Sequence, residues 1–259
     1  MNHERPYPAS DLPEAHLRAL RLLASDVDDT LSTDGRIPSD ILAAFERLRR
    51  GGLLIWLVTG RCASWGQALS RYLPVDGVVA ENGGVICRGE QLTPLADLSL
   101  IGEGRSRLRD AYEAIRRQVP RVRRTDDNLG RLTDWAIDRA ALSDDEVSRV
   151  ADLANAQGLR MIASSIHLHL FAGEHTKATA VGRVCDELGL RDRREVLTMG
   201  DSTNDEPLFD PAQFPLSAGV ANVEKYLPRL IHKPLFILPR PHSAGALWLL
   251  NRILVCRGL

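Results

Sequence analysis

Two patterns of apolar residues alternate along the chain. Continuous apolar runs, of a length typical of buried β-strands, occur in RLLASD, LLIWLVTG, VDGVVAENGG and REVLTMGDS. Between and after them lie segments such as SDILAAFERLRRGG and SWGQALSRYL, which have the period of an amphipathic helix. Strands that alternate with helices predict an α/β fold, in which a mostly parallel sheet carries helices on its faces.

The middle of the chain has a different pattern. Two helix-like segments, around SRLRDAYEAIRRQV and SDDEVSRVADLANAQ, are interleaved with short alternating runs, RLTDWAID and LRMIASSIHLHLF. We predict that residues 96–173 form an inserted α+β domain with its own small sheet. Residues 19–95 and 174–259 then form the core, and residues 1–18 are expected to be a polar tail.

Composition excludes several classes of function. The 259 residues carry a net charge of −1, so no global field favours nucleic acid or an anionic membrane. No apolar run is long enough to span a bilayer, and the N-terminus has no apolar signal core, which predicts a cytoplasmic protein. The four cysteines have no metal-like spacing, so we expect reduced, incidental thiols.

Reactive residues cluster where apolar strands end. Asp26 and Asp28 follow the first strand, Thr59-Gly60-Arg61 follows the second, and Asp201 and Asp205 follow a later one. In open parallel sheets, ligands bind outside the carboxyl ends of the strands, so these groups could share one crevice. Four carboxylates in one crevice require a cation. Mg²⁺ fits because it accepts a few carboxylates and keeps waters that a phosphate can replace.

These motifs resemble those of a known superfamily. DVDDT, VTGR, the lysine of HTKATA and GDSTND are similar, in type and order, to the four motifs of the haloacid dehalogenase-like (HAD) phosphohydrolases. The position of the insertion and the ENGG turn resemble the subclass with a large α/β cap. That subclass holds the Cof-type, sucrose-phosphate, trehalose-phosphate and mannosyl-3-phosphoglycerate phosphatases. The resemblance implies a Rossmann-like core, an inserted cap and a magnesium-dependent phosphatase.

Residue roles follow from the resemblance. Asp26 matches the nucleophile that forms an aspartyl-phosphate, and Asp28 matches the general acid/base. Thr59 and Lys177 match groups that bind phosphoryl oxygens. The other implied phosphate- or substrate-binding residues are Gly60, Arg61 and Asn204. The implied metal ligands are Asp26, the backbone carbonyl of Asp28, and Asp201, with Asp205 in support of the metal or of Lys177.

The chain departs from the superfamily pattern at two positions. Asp29 follows the acid/base where Gly is common, and we expect little effect because Asp tolerates turn conformations. Ala178 follows Lys177 where Gly is also common. Lys177 is still the lysine of the motif, because Lys225 and Lys233 come after the fourth motif.

The insertion offers two candidate substrate contacts. SSIHLHLF alternates as a strand, with Ile166, Leu168 and Leu170 on one face and His167, His169 and Phe171 on the other. The histidines either face the substrate or lie on a solvent-exposed face. The arginine-rich RVRRTDDN is either a solvated surface or a contact for an anionic substrate end. Acids interleave the arginines, which argues against nucleic acid.

The function predicted from the sequence is hydrolysis of a small phosphorylated metabolite, a sugar phosphate or glycosyl-phosphoglycerate. A sugar phosphomutase of the same superfamily is the alternative. A phospho-accepting signalling domain fits less well, because its motif order differs and it has no room for the insertion. We expect no nucleic-acid or membrane partner, and a monomer or small homo-oligomer.

Overall fold

The computed structural model describes residues 5–95, 99–164 and 166–259. In this part of the chain the strands are β1 (Tyr7–Pro8), β2 (Leu22–Ser25), β3 (Leu54–Val58), β4 (Gly77–Ala80), β5 (Val85–Arg88), β6 (Gln91–Pro94), β7 (Asp134–Asp138), β8 (Arg160–Ala163), β9 (His167–Phe171), β10 (Val196–Gly200), β11 (Ser217–Gly219) and β12 (Phe236–Ile237). The α-helices are α1 (Glu14–Ala19), α2 (Ser39–Arg50), α3 (Ala63–Tyr72), α4 (Ser99–Gln118), α5 (Asp144–Asn155), α6 (Lys177–Glu187) and α7 (His242–Arg257). The predicted start of the insertion, residue 96, lies outside the described residues.

The large sheet has nine described strands in the order β1-β12-β11-β10-β2-β3-β4-β5-β6. Strands β1 to β4 and β10 to β12 are parallel, whereas β5 and β6 extend the edge in antiparallel pairing. β2 and β10, which carry the two acidic motifs, are neighbours in the middle. The predicted fold class, a mostly parallel α/β core with an inserted cap, is confirmed.

Burial on both faces explains the continuous apolar runs of the core strands. Along β2, Leu23 points into a cluster shared with α2 and α7. Leu22 and Ala24 point to the opposite face, into a cluster shared with α6. Both sides of each strand therefore need apolar residues, and the alternation expected for a half-exposed strand disappears.

The small sheet of the cap is covered on one face. Its order is β7-β9-β8, all antiparallel. Leu168 and Leu170 of β9 pack with Trp135 against α4 and α5. The opposite face carries His169, which is 1% exposed and faces the core domain. The cap therefore has a helix-covered face and a face that closes the cavity described below.

Part of the segment predicted as a polar tail is folded onto the core. Tyr7 of β1 pairs with Phe236, and α1 packs against α7. Leu12 and Leu17 are at most 1% exposed. The few apolar residues of this polar, proline-rich stretch are buried together, which holds it in place.

Candidate active site

Lys177 links two of the predicted motifs. Its side chain is fully buried, and Nζ donates hydrogen bonds of 2.6 Å to Asp26 Oδ1 and to Asp205 Oδ1. The lysine begins α6, where Thr176 caps the helix and so fixes where the lysine side chain starts. Both carboxylates raise the pKa of Lys177 more than burial lowers it, so the ammonium group stays charged.

Asp205 is fully occupied by this arrangement. While Oδ1 accepts from Lys177, Oδ2 accepts from the backbone N–H groups of Asp201 and Ser202 at 2.9 and 3.1 Å. These bonds close the loop that follows β10 and fix the carboxylate toward the lysine. Of the two predicted roles for Asp205, its contacts favour the orientation of Lys177 over metal support.

The site has a group of carboxylates suited to a divalent cation. Asp26, Asp201 and Asp205 each offer an oxygen, and these oxygens lie within 4.8 Å of one another. Burial, and then the charge of Asp205, raise the pKa of Asp26 to about 8 and that of Asp201 to about 9. A hard cation would remove this cost of ionisation, and carboxylate oxygens are the ligands that Mg²⁺ prefers. The donor set therefore fits the predicted ion.

Two further groups hold Asp201. Its Oδ1 accepts from the Thr30 hydroxyl at 3.3 Å, and its Oδ2 accepts from Asn222 Nδ2 at 3.0 Å. Neither Thr30 nor Asn222 was among the predicted site residues. Thr30 belongs to DVDDT, which was a usable signal, whereas Asn222 lies in a stretch without a recognised motif.

Asp28 pairs with the second motif. Arg61 donates from Nε and Nη2 to the two oxygens of Asp28, at 2.9 and 2.7 Å. The Thr59 hydroxyl oxygen accepts from the backbone N–H of Arg61 at 3.0 Å. The hydrogen bond from Arg61 to Asp28 raises the pKa of the guanidinium group. The acid/base candidate is thus held by an arginine from the neighbouring strand end.

The cap contributes a buried network that the sequence did not suggest. Arg131 is 0% exposed and donates to Asp127, to Asp134 and to the backbone carbonyl of Gly60, the last at 3.0 Å. Asp134 also contacts Nδ1 of His169 at 2.8 Å. Although burial raises it, Arg131 and His169 together lower the pKa of Asp134 to about 2. This network fixes His169 and joins the cap to the core.

The ENGG turn makes a second connection between the cap and the core. Glu81 accepts from the backbone N–H groups of Leu132 and Thr133, from the Thr133 hydroxyl and from Ala63 N–H. Glu81 and Asn82 have φ values of 52° and 53°, in the left-handed region. Burial, and then the charge of Asp134, raise the pKa of Glu81 to about 7. The turn therefore connects the core to the cap through Glu81. The residue types of the ENGG motif alone do not indicate this role.

Residues of the core and of the cap line a common, partly open cavity. Its lining residues are Asp26, Asp28, Gly60, Arg61, Ser164, Ile166, His167, His169, Asp201, Ser202 and Asn204. Thr59, Lys177 and Asp205 are buried and in hydrogen-bond contact with lining residues. Every predicted site residue thus lies in this cavity or in contact with a residue that lines it.

The predicted faces of the β9 region need one correction. Ile166 was expected on the face of Leu168 and Leu170, yet it lines the cavity beside His167. The reason is that β9 begins at His167, and the hydroxyl of Ser164 accepts from the N–H groups of Ile166 and His167. This turn breaks the strand alternation just before β9.

Among the described residues, the arginine-rich segment of the cap does not line the cavity. The arginine that lines the cavity is Arg61 of the core. Arg121 pairs with Glu146, and Arg123 donates to the backbone oxygens of Pro120 and Val122. Arg121, Arg123 and Arg124 are exposed, which agrees with the interpretation of these arginines as a solvated surface.

Comparisons with known proteins show what the sequence and the fold are similar to. A family model described as haloacid dehalogenase-like hydrolase matches residues 23–100. The solved structure of Thermoplasma acidophilum 0175 superimposes with a TM-score of 0.75 at 23% identity, covering 90% of this chain and 98% of that one. Over residues 23–100 the chain is thus similar to the haloacid dehalogenase-like hydrolases.

Two other proteins that are similar to this chain are named phosphatases. The chain is 26% identical to a phosphoglycolate phosphatase of Methanothrix thermoacetophila, over 78% of this chain and 85% of the relative. The sucrose-phosphatase of Synechocystis sp. PCC6803 superimposes with a TM-score of 0.66 at 18% identity, over 91% of this chain and 98% of that one. No helix in the described part of the chain is both long and apolar enough to cross a membrane.

Proposed function

We propose that the enzyme hydrolyses a small phosphorylated metabolite through an aspartyl-phosphate on Asp26, and that it depends on Mg²⁺. The observation that carries this proposal is the position of Lys177, which binds Asp26, 151 residues away in the chain, inside a cavity that Asp28 also lines. A carboxylate, a fixed cation and a second carboxyl group are the parts that a two-step phosphoryl transfer requires.

The steps follow from the side chains. Asp26 attacks phosphorus, and the bond to the leaving alkoxide breaks while Asp28 gives that oxygen a proton. In the second step Asp28 takes a proton from water, which attacks the aspartyl-phosphate and releases phosphate. Lys177 and Thr59 stabilise the phosphoryl oxygens. Mg²⁺, held by Asp26, Asp201 and the carbonyl of Asp28, would offset repulsion between the carboxylate and the phosphate dianion.

Two candidate substrates follow from the sequence motifs and from the relatives. A sugar phosphate is our first candidate substrate, and phosphoglycolate, named for several relatives, is the second. Cytoplasmic location and assembly as a monomer or small homo-oligomer stay predictions of the sequence.

Asp26→Asn tests the proposal directly. We expect phosphate release from any accepted ester to fall by about 10⁴-fold or more, because an amide cannot act as the nucleophile. Asp34→Asn, in the same loop but exposed, is the matched control and should retain activity. Full turnover by Asp26→Asn would exclude the aspartyl-phosphate.

The metal is tested with the same assay. Removal of divalent ions with a chelator should abolish turnover, and added Mg²⁺ should restore it. Mg²⁺ should also raise the unfolding temperature of the wild-type protein more than that of Asp201→Asn, because binding to the native state stabilises it. Turnover that survives chelation would contradict the dependence on a metal.

A further inference from the structure

Two buried polar atoms from different domains converge on Gly60. His169 Nε2 and Asn82 Nδ2 have no hydrogen-bond partner among the described residues, and both side chains are at most 2% exposed. Each atom lies 3.2 Å from the point where a Cβ on Gly60 would stand. Gly60 and His169 line the cavity that holds Asp26, so a group bound in that cavity would lie beside both atoms.

The hydrogen bonds behind Asn82 fix which end of its amide is free. Ser202 Oγ donates to Asn204 Oδ1 at 2.7 Å, and Asn204 Nδ2 donates to Asn82 Oδ1 at 3.2 Å. The oxygen of Asn82 is therefore used as an acceptor. Its Nδ2 is left as a hydrogen-bond donor.

The contacts behind His169 fix its tautomer in the same way. An ionised carboxylate only accepts hydrogen bonds, so the contact of Nδ1 with Asp134 at 2.8 Å places the proton on Nδ1. Burial lowers the pKa of His169 more than Asp134 raises it, which keeps the ring neutral. Nε2 therefore presents a lone pair, a hydrogen-bond acceptor.

A donor and an acceptor that lie beside the same residue of the cavity lining are together complementary to one functional group. A hydroxyl accepts one hydrogen bond and donates another, whereas a carboxylate oxygen can only accept. We propose that Asn82 and His169 form a subsite for a hydroxyl group of the leaving alcohol, which accepts from Asn82 Nδ2 and donates to His169 Nε2. This inference rests on the proposed function and adds to it the chemistry of the substrate beside the ester.

The surrounding structure makes this subsite rigid. Asn82 is held in the left-handed region of the backbone, at φ 53°, and Asp134 is fixed by the buried Arg131. A rigid donor and acceptor discriminate strongly, because an analogue without the hydroxyl leaves both buried groups unpaired. A Cβ at position 60 would stand 3.2 Å from both Asn82 Nδ2 and His169 Nε2, closer than an ordinary van der Waals contact, so a side chain there would crowd the subsite.

The test uses phosphate monoesters that differ in one hydroxyl. The pairs are 3-phosphoglycerate with 3-(phosphonooxy)propionate and glycerol 3-phosphate with 3-hydroxypropyl phosphate, and phosphoglycolate serves as a substrate with a carboxylate alone. In at least one pair, we expect the wild-type kcat/KM to be at least about 10-fold higher for the ester with the hydroxyl. Equal values within both pairs would overturn the subsite but leave the phosphatase proposal intact. Absence of phosphate release from every ester would overturn both.

Two variants test whether His169 and Asn82 cause the preference for esters with a hydroxyl. His169→Phe removes the acceptor, and Asn82→Gly removes the donor while keeping a residue suited to positive φ. In each variant, the kcat/KM values for the two esters of the preferred pair should differ by no more than about 2-fold. Inhibition by inorganic phosphate should stay unchanged. His232→Phe is the control, since His232 also has an unpartnered ring nitrogen among the described residues but lies outside the cavity lining.

The outcomes separate specificity from structure. An equal fall in kcat/KM for both members of a pair would show that the two residues only maintain the fold, and it would overturn the proposal. If His169→Phe does not fold, Asn82→Gly and the wild-type substrate pairs still decide, because glycine relieves the backbone strain at position 82.

Discussion

The two walls of the cavity differ in charge. The core wall carries carboxylates and the buried ammonium group of Lys177, whereas the cap wall carries Ser164, Ile166 and two imidazoles. Burial lowers the pKa of His167 to about 4 and also lowers that of His169, so both rings are neutral near pH 7. Ionic groups that act on phosphorus therefore lie in the core, and neutral groups that can distinguish leaving groups lie in the cap. Changes to the core wall should affect every substrate, and changes to the cap wall should affect some more than others.

Lys177→Met should produce the largest change, because it removes the cation between two buried carboxylates. We expect kcat to fall by about 10²–10³-fold for all esters alike. The free energy of unfolding should also fall by about 3–5 kcal/mol, since breaking a buried pair leaves charge uncompensated. Steady-state kinetics and urea denaturation measure the two effects.

Lys225→Met is the control for this variant, since Lys225 is exposed and contacts only the ring of Tyr226 in the described structure. It should match wild type in both assays. A Lys177→Met enzyme whose losses depend strongly on the substrate would contradict the division between the two walls.

Arg131→Met tests the attachment of the cap. The change leaves Asp127 and Asp134 without their buried partner and removes the bond to the Gly60 carbonyl. We expect the free energy of unfolding to fall by about 3–5 kcal/mol. Because His169 loses its fixed orientation, the preference for hydroxyl-bearing esters should fall more than the rate for simple esters.

The control is Arg109→Met, which breaks an exposed pair with Asp110 and should cost less than about 1 kcal/mol. Equal stability of Arg109→Met and Arg131→Met in denaturant would refute the structural role of Arg131.

Glu81→Gln should have the smallest effect, on the pH dependence of stability. The pKa of Glu81 is raised to about 7 from an ordinary 4.5, so the folded protein binds this proton more tightly than the unfolded chain does. Its contribution is complete below pH 4.5 and is lost as pH rises through 7. Between pH 5 and pH 8 the wild type should lose on the order of 2 kcal/mol more than Glu81→Gln.

Denaturant titrations at saturating Mg²⁺ measure this difference. The metal is added because the pKa values of Asp26 and Asp201 are also raised, so their titration would change stability with pH in the same direction as that of Glu81, and bound metal suppresses it. Parallel stability curves for wild type and Glu81→Gln would show that Glu81 stays ionised in the fold.

The core wall was predictable because it depends on topology. Continuous apolar runs indicated parallel strands, and parallel strands present their carboxyl ends at one edge of the sheet. Asp26, Asp28 and Asp201 therefore had to lie near one another once those strands were recognised. Lys177 was identified from its motif. It lies at the start of a helix, which the pattern of strands does not indicate.

The cap wall was only partly predictable. His167 and His169 were visible as candidates, yet their alternation did not decide between substrate and solvent. That choice depends on how the cap packs on the core, through contacts such as Arg131 with Gly60 and Glu81 with Thr133, 71 and 52 residues apart. Such contacts have no periodic signature in the chain.

By itself, the sequence determined the fold class, the order of the motifs and the residues of the core wall, because local apolar patterns and strand ends follow rules that act within each segment. The tertiary structure decided which cap groups face those residues, which tautomer His169 adopts and which end of the Asn82 amide is free. These properties are set by hydrogen bonds and burial between distant segments, so they exist only once the cap has closed on the core.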